Sequence, residues 1–386
     1  MSEQSRRPRL RQSILLAAAA LLAACSAGAE AVRAERRTEQ QEAKEAQLAA
    51  LEARAAGGDL GAQMELASMY YDGRVVPRDR GRAAVWYRAA ADQGLAEAYY
   101  SLGVLLEKGD GVPGDLAGAA AAYRVAAEAG VAEAQTNLGL MALEGRGMPA
   151  DKDEAFRWLS AAADLGVAQA QFVLGSMVAD GRGTAPDPAA AAALYERAAR
   201  QGLAPAQEAL AAALLAGAGV DPSAPLAARW LEQAAAQGSV AAQERLGLLL
   251  LRGAPGLATD PAAGARWLTR AAEAGAATSQ FNLGLLYIRG SGVPQDDRAA
   301  YRWFLAAAKQ GLTEAQVRAG AMSAAGRGVR TDRVEAARWY LIAGRAGNAG
   351  ALRRLEALDP PLSTAERKAA EERALAWERA RAERSR

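Results

Sequence analysis

Nine glycines divide most of the chain almost evenly: Gly58, Gly94, Gly130, Gly166, Gly202, Gly238, Gly275, Gly311 and Gly347. Neighbours are 36 residues apart, except for 37 between Gly238 and Gly275. One unit of three dozen residues cannot bury an apolar face alone. Successive units must therefore stack and share a core, which predicts a solenoid and excludes a globule with one central core.

Each unit reads as two helices. Four and eight residues after the glycine come a small and then an apolar residue, as in Ala98 and Leu102, Ala134 and Leu138, or Ala170 and Leu174. Residues four apart share one helix face. The ninth position is often glycine (Gly103, Gly139, Gly175, Gly247, Gly284, Gly320). Mid-helix glycine costs about 1 kcal/mol against alanine, so its recurrence predicts close helix–helix approach.

A Gly-x-Gly follows the first helix, as in Gly109/Gly111 and Gly290/Gly292. It lacks the preceding strand, the third glycine and the Lys-Ser/Thr of a phosphate loop, and reads as helix termination. The second helix opens at Asp79, Asp115, Asp151, Asp187, Ser223, Asp260, Asp296 and Asp332, all good N-cap residues. Asp151 with Glu154 and Asp332 with Glu335 have the spacing of capping boxes. One aspartate per unit is too dispersed to form a catalytic or calcium site. Seven residues past the cap stand Trp86, Trp158, Trp230, Trp267, Trp303 and Trp339, followed by paired alanines such as Ala307-Ala308. Large and small side chains at fixed positions interdigitate, so the Trp column reads as core rather than as a ligand ladder. On that reading Trp303→Ala costs about 3–5 kcal/mol.

The pattern is most complete from Gly275 to Gly311, with Leu283, Gly284, Tyr287, Gly290, Gly292, Val293, Asp296, Ala300 and Trp303. It resembles the Sel-one-like repeat family, relatives of tetratricopeptide repeats, over about residues 58–358. The resemblance implies an all-α fold: a right-handed α/α superhelical solenoid of about eight helix-pair repeats with terminal capping helices. It also implies a protein-interaction scaffold, a monomeric solenoid, without chemistry or cofactor of its own. The fifth unit departs from the pattern, with Ala211 for the mid-helix glycine and Pro222 and Pro225 around the cap. The sixth carries an extra loop residue near Ala254-Pro255. Local irregularity is expected at both.

Residues 1–24 begin with Arg6, Arg7, Arg9 and Arg11 and continue into an apolar run too short for a typical spanning helix, the layout of a secretory signal. Leu22-Ala23-Ala24-Cys25 matches the lipobox of bacterial lipoproteins, which implies cleavage before Cys25 and acylation there. Several acyl chains anchor a protein stably where one is marginal. The alternatives are an uncleaved signal anchor and a simple signal peptide with an incidental cysteine. By the sorting rule of enterobacterial lipoproteins, Ser26 implies passage to the outer membrane, facing the periplasm. The general secretory route is favoured over twin-arginine export, because Arg9 stands where that signal has an aromatic residue.

Residues 25–38 read as a lipidated tether, 39–57 as an N-terminal helix (a cap on the first unit or a coiled-coil stalk), and 359–386 as a C-terminal capping helix. Ser363 and Glu366 form a capping box at the start of that last helix, and Leu375 and Trp377 lie within it.

The formal charge is +2 over 386 residues, and the four arginines and one glutamate of residues 1–24 more than account for it, leaving −1. Such a balance argues against general nucleic-acid or anionic-membrane binding. There is no histidine, and Cys25 is the only cysteine. That removes the commonest general acid–base group, thiol catalysis and soft-metal sites. No motif for another hydrolytic mechanism is present.

The favoured reading is thus a lipid-anchored envelope scaffold holding an envelope or periplasmic protein in its groove. The alternatives are a cell-wall or β-lactam hydrolase, an activity assigned to some cysteine-rich relatives, and a secreted host-facing factor. Groove candidates are the variable sixth and seventh positions after each glycine, from Met64-Glu65 through Thr136-Asn137 to Val317-Arg318. Tyr100, Phe172 and Phe281 are the candidate partner-binding anchors, since aromatics dominate interface hot spots.

Overall fold

The structure, a computed structural model, describes residue 36 and residues 39–384. Cys25 and the leader lie outside the described residues. The chain divides into two compact units, residues up to Asp151 and from Lys152 onward. The first holds α1 (residues 39–56), α2 (Leu60–Asp72), α3 (Arg80–Asp92), α4 (Ala96–Lys108), α5 (Leu116–Glu128) and α6 (Ala132–Glu144). The second begins with α7 (Lys152–Asp164), α8 (Ala168–Asp180), α9 (Pro188–Arg200), α10 (Ala204–Ala216), α11 (Ala224–Ala236), α12 (Val240–Arg252) and α13 (Pro261–Glu273). It ends with α14 (Ala277–Arg289), α15 (Asp297–Lys309), α16 (Thr313–Ala325), α17 (Arg333–Arg345), α18 (Ala349–Glu356) and α19 (Thr364–Arg384). Within each unit every helix from α2 to α17 packs on its neighbours in sequence, and α19 packs on α17. This is the pairwise stacking of an α-solenoid. Among the described residues the only strand-like pairing is an isolated bridge between Ala254 and Leu257.

The helices start and stop where the sequence dictates. The side chains of Asp79, Asp115, Asp187, Ser223, Asp260, Asp296 and Asp332 each accept a first-turn backbone N–H, at about 1 kcal/mol apiece. The capping box expected at Asp332 does not close. The Asp332 N–H already donates to the Ser323 carbonyl at 2.9 Å, and Glu335 turns to Arg338 at 3.0 Å instead. First helices end on a left-handed glycine such as Gly109 or Gly290. At Gly94, φ is +91° and no atom stands near a would-be Cβ. The period glycine is therefore there for backbone conformation rather than space.

The mid-helix glycine marks close approach, as expected, but its partner is not the Trp. A Cβ at Gly103 would lie 2.7 Å from the Tyr123 ring, at Gly284 2.7 Å from Phe304, and at Gly320 2.9 Å from Tyr340. The buried column is the residue after the Trp position: Tyr87, Tyr123, Leu159, Leu231, Leu268, Phe304 and Tyr340. Trp86, Trp158, Trp230, Trp267 and Trp303 are half-buried, which corrects the reading of that column as core. A rotation of 100° per residue lets only one of two adjacent side chains point straight at the facing helix. Ring over glycine is the better fit, and the indole lies along the edge of the interface. Trp339 alone in the column is fully buried, because the Trp377 ring of α19 meets it edge-on at 6.0 Å.

The second glycine of Gly-x-Gly has a role the sequence did not reveal. In six of these loops, that of Gly147 against Leu116 among them, it lies against the first turn of the preceding repeat's second helix. A Cβ at Gly111 would be 2.5 Å from the Arg80 backbone, one at Gly183 2.8 Å from the Lys152 carbonyl, and those at Gly219, Gly292 and Gly328 would overlap Pro188, Pro261 and Asp297. The sixth repeat breaks this seam. Gly253 has ψ 176° rather than a left-handed value, and Gly256 meets only the Pro225 ring, at 3.4 Å. The irregularity expected in the fifth repeat is absent from its helices. Both α10 and α11 are regular, and Ala211 and Leu231 pack in one core cluster.

Buried glutamines tie the helix ends together. The side-chain amides of Gln63, Gln135, Gln171, Gln207, Gln243, Gln280 and Gln316 each donate to a carbonyl eight residues earlier, at the end of the preceding helix. The amide oxygens of Gln63, Gln171, Gln207 and Gln280 accept from Gln93, Gln201, Gln237 and Gln310, the residue before the next period glycine. Where that residue is Leu165, Ala274 or Ala346, the oxygens of Gln135, Gln243 and Gln316 have no protein donor. Ala274→Gln is therefore expected to stabilise the protein by about 0.5–1.5 kcal/mol, one net hydrogen bond, measurable by urea denaturation. An unchanged midpoint in Ala274→Gln would show that the Gln243 oxygen needs no such donor.

Both ends are covered. Helix α1 buries Leu51 and Ala55, and its Glu52 accepts from the Tyr70 hydroxyl at 3.0 Å. Helix α19 buries Ala370 and Ala374 and is held by Arg333–Glu366 at 2.7 Å and Arg345–Glu378 at 3.1 Å. The Ser363–Glu366 capping box is formed in both directions. The Ser363 N–H and hydroxyl together with Arg333 hold the Glu366 carboxyl down at about 2. No helix among the described residues is long and apolar enough to cross a membrane.

Candidate functional site

The three anchor candidates occupy equivalent places. Tyr100 on α4, Phe172 on α8 and Phe281 on α14 are each half-buried. Each leans on the ring that the following second helix inserts. Tyr100 meets Tyr123 at 6.0 Å, Phe172 meets Tyr195 at 6.0 Å, and Phe281 meets Phe304 at 5.6 Å, all tilted. These are favourable aromatic geometries. The sixth position thus belongs partly to the packing face: one face of the ring packs and the other meets solvent. Thr136, at the same position of α6, is buried and donates to the Ala132 carbonyl, so it presents nothing to a partner. The three rings do not form one site. Tyr100 belongs to the first unit, and Phe172 and Phe281 pack against different core clusters of the second.

Between Phe172 and Phe281 the first helices carry a shallow cleft of about 520 Å³. Its apolar lining comes from Ala212 and Leu215 on α10 and from Leu248 and Leu249 on α12. Leu215 is 43% exposed. Glu208 and Arg245 stand 3.9 Å apart at its edge, and the Ser239 hydroxyl fixes Glu208 at 2.6 Å. Arg252 closes the rim, with no ionic partner among the described residues. A smaller pocket of about 230 Å³ brings Phe281 beside Val317, Arg318 and Ala321 of α16. An apolar centre with a charged rim is the anatomy of a protein-binding patch. The leucines were visible in the sequence, but in alanine-rich helices a leucine announces core before surface.

The strongest electrostatic feature of the first unit is structural. The Tyr123 hydroxyl donates to Glu107 at 2.7 Å, and Arg146 donates to the other Glu107 oxygen at 2.9 Å. Burial, with Glu107 beside it, pushes the Tyr123 hydroxyl well above its ordinary value. The group stays neutral and serves as a donor in the packing.

The Sel1 repeat family model matches residues 61–95, 96–131, 132–167, 168–203, 204–239, 240–275, 277–312 and 313–348. A Sel1 repeat protein from Oxalobacter formigenes is 33% identical, with 81% of this chain and 91% of that one covered and a TM-score of 0.63. The uropathogenic Escherichia coli protein c5321, described as a protective antigen with an SLR fold, is 28% identical, with 85% of each chain covered and a TM-score of 0.51. No curated protein matches the chain. Eight consecutive matched repeats, each a helix pair, leave one conclusion: the chain belongs to the Sel1 repeat family.

Proposed function

We propose that this protein is a lipid-anchored scaffold of a bacterial envelope that holds a protein partner on the first-helix face of its second unit. Sel1 repeat proteins are in general protein-interaction scaffolds without catalysis, which fits the lack of histidine. The observation that carries the reading is the apolar cleft of α10 and α12, with Leu215 exposed at its centre and Glu208, Arg245 and Arg252 around it. The half-exposed rings of Phe172 and Phe281 lie on first helices to either side. Tyr100 presents the equivalent ring in the first unit. The anchor rests on the lipobox ending at Cys25. Outer-membrane placement facing the periplasm rests on Ser26.

Crosslinking in native cells followed by identification of the captured protein supplies the partner. Leu215→Glu with Arg252→Glu is expected to weaken capture about ten-fold or more while leaving the melting temperature unchanged, because both side chains face solvent. Alanine at Tyr100, Phe172 and Phe281 together is expected to lower capture as well. Unchanged capture in both variants would remove the first-helix face as the site. Incorporation of labelled palmitate, lost in Cys25→Ser, tests the anchor.

A second reading is a host-facing factor on the cell surface, favoured by the description of c5321 as a protective antigen. Cleavage by protease added to intact cells would select it over the periplasmic one.

A further inference from the structure

The extra residue of the sixth repeat opens a second cleft, on the second-helix side, between α11 and α13. It measures about 780 Å³, within the range of small-ligand sites. It lies where the Gly-x-Gly seam is broken: Gly256 touches only the Pro225 ring, and Leu257 is carried inward by the Ala254–Leu257 bridge. Leu246, Leu250 and Leu257 give the cleft an apolar floor, and half-buried Trp267 gives it a wall.

Three exposed guanidiniums, Arg229, Arg266 and Arg270, line the same cleft. None makes an ion pair among the described residues. Arg270 lies over the Trp267 ring at 4.6 Å, which holds it in place. The carboxylates lining the cleft are Glu232 and Asp260. Asp260 is engaged as the cap of α13, accepting the Ala263 N–H at 2.8 Å, and Glu232 pairs with none of the three arginines. The cleft is thus cationic in a chain that is nearly neutral as a whole.

We infer that this cleft docks a short acidic peptide segment of a partner protein, one in which carboxylates alternate with apolar side chains. Guanidinium forks match carboxylates in a bidentate fashion, and the leucine floor with the indole wall accepts the apolar residues between them. A nucleic-acid strand would need a longer basic track than these three arginines supply. The site is separate from the first-helix cleft and does not depend on the function assigned to that face.

The test uses the full chain and a fluorescein-labelled hexapeptide alternating leucine with glutamate, read by fluorescence anisotropy. Saturable binding is expected. It should weaken about ten-fold or more with the matching leucine–glutamine peptide and with Arg266→Gln/Arg270→Gln. Arg88→Gln, in the first unit, should change nothing. Glu232→Gln should tighten binding about two- to three-fold, a gain that misfolding cannot produce. The inference is overturned by no saturation below about 1 mM, by equal binding of the glutamine peptide, or by indifference to both the arginine and the Glu232 variants. Binding of phosphatidylglycerol vesicles without peptide selectivity would overturn it too.

Discussion

Phe304→Ala is expected to cost about 3–5 kcal/mol, and the neighbouring Trp303→Ala only about 1–2 kcal/mol. Phe304 is 1% exposed. Its ring fills the space that Gly284 leaves open, where a Cβ would stand 2.7 Å away, and it supports Phe281 at 5.6 Å. Removing it empties a site bounded by a helix backbone, which cannot collapse inward. Trp303 is half-buried, packs along the edge of the Leu268 and Leu283 cluster, and leaves a dent that water fills. Stacked repeats unfold in parts, so hydrogen exchange of α14 and α15 is the better measurement beside urea denaturation. Equal losses in the two variants would restore the Trp column to the core. Trp339→Ala is the informative companion: that indole is fully buried, so it should behave like Phe304.

This pair of residues shows what the sequence made legible and what it hid. The period, the helix ends and the caps are local: each is a glycine or aspartate whose backbone preference acts within one turn. Pattern reading finds them because no distant residue has to be known. Which of two adjacent large residues points inward depends on the azimuth of the helix pair, and the tryptophan drew the assignment because it is the larger. The glutamines escaped for a different reason. A glutamine five positions after seven of the nine glycines reads as surface until the facing carbonyls of the preceding helix are placed. The anchor candidates fall between these cases. Their helix and position were readable, and their half-burial against Tyr123, Tyr195 and Phe304 was not. The extra residue before Gly275 was visible as a spacing of 37, yet a count cannot say whether an insertion bulges outward or opens a seam.

The seam itself yields the second large effect. Gly292→Ala is expected to cost about 2–5 kcal/mol, and Gly256→Ala about 1–2 kcal/mol. Both residues have positive φ, +73° and +77°, so each alanine carries the left-handed penalty. Only at Gly292 does the added methyl land on backbone, at the Pro261 carbonyl in the first turn of α13. That turn is held by the Asp260 cap, so relief requires the loop and α13 to separate, and the damage spreads to the interface between two repeats. At Gly256 the nearest atom is the edge of the Pro225 ring, at 3.4 Å, an ordinary contact. Urea denaturation gives the two costs. Hydrogen exchange should show Gly292→Ala loosening the first turns of both α13 and α15, with the effect of Gly256→Ala confined to residues 253–260. If Gly256→Ala proved as damaging as Gly292→Ala, the sixth seam would be as tight as the others. The space between α11 and α13 would then owe nothing to the inserted residue, since a closed seam leaves no room for an opening at that place.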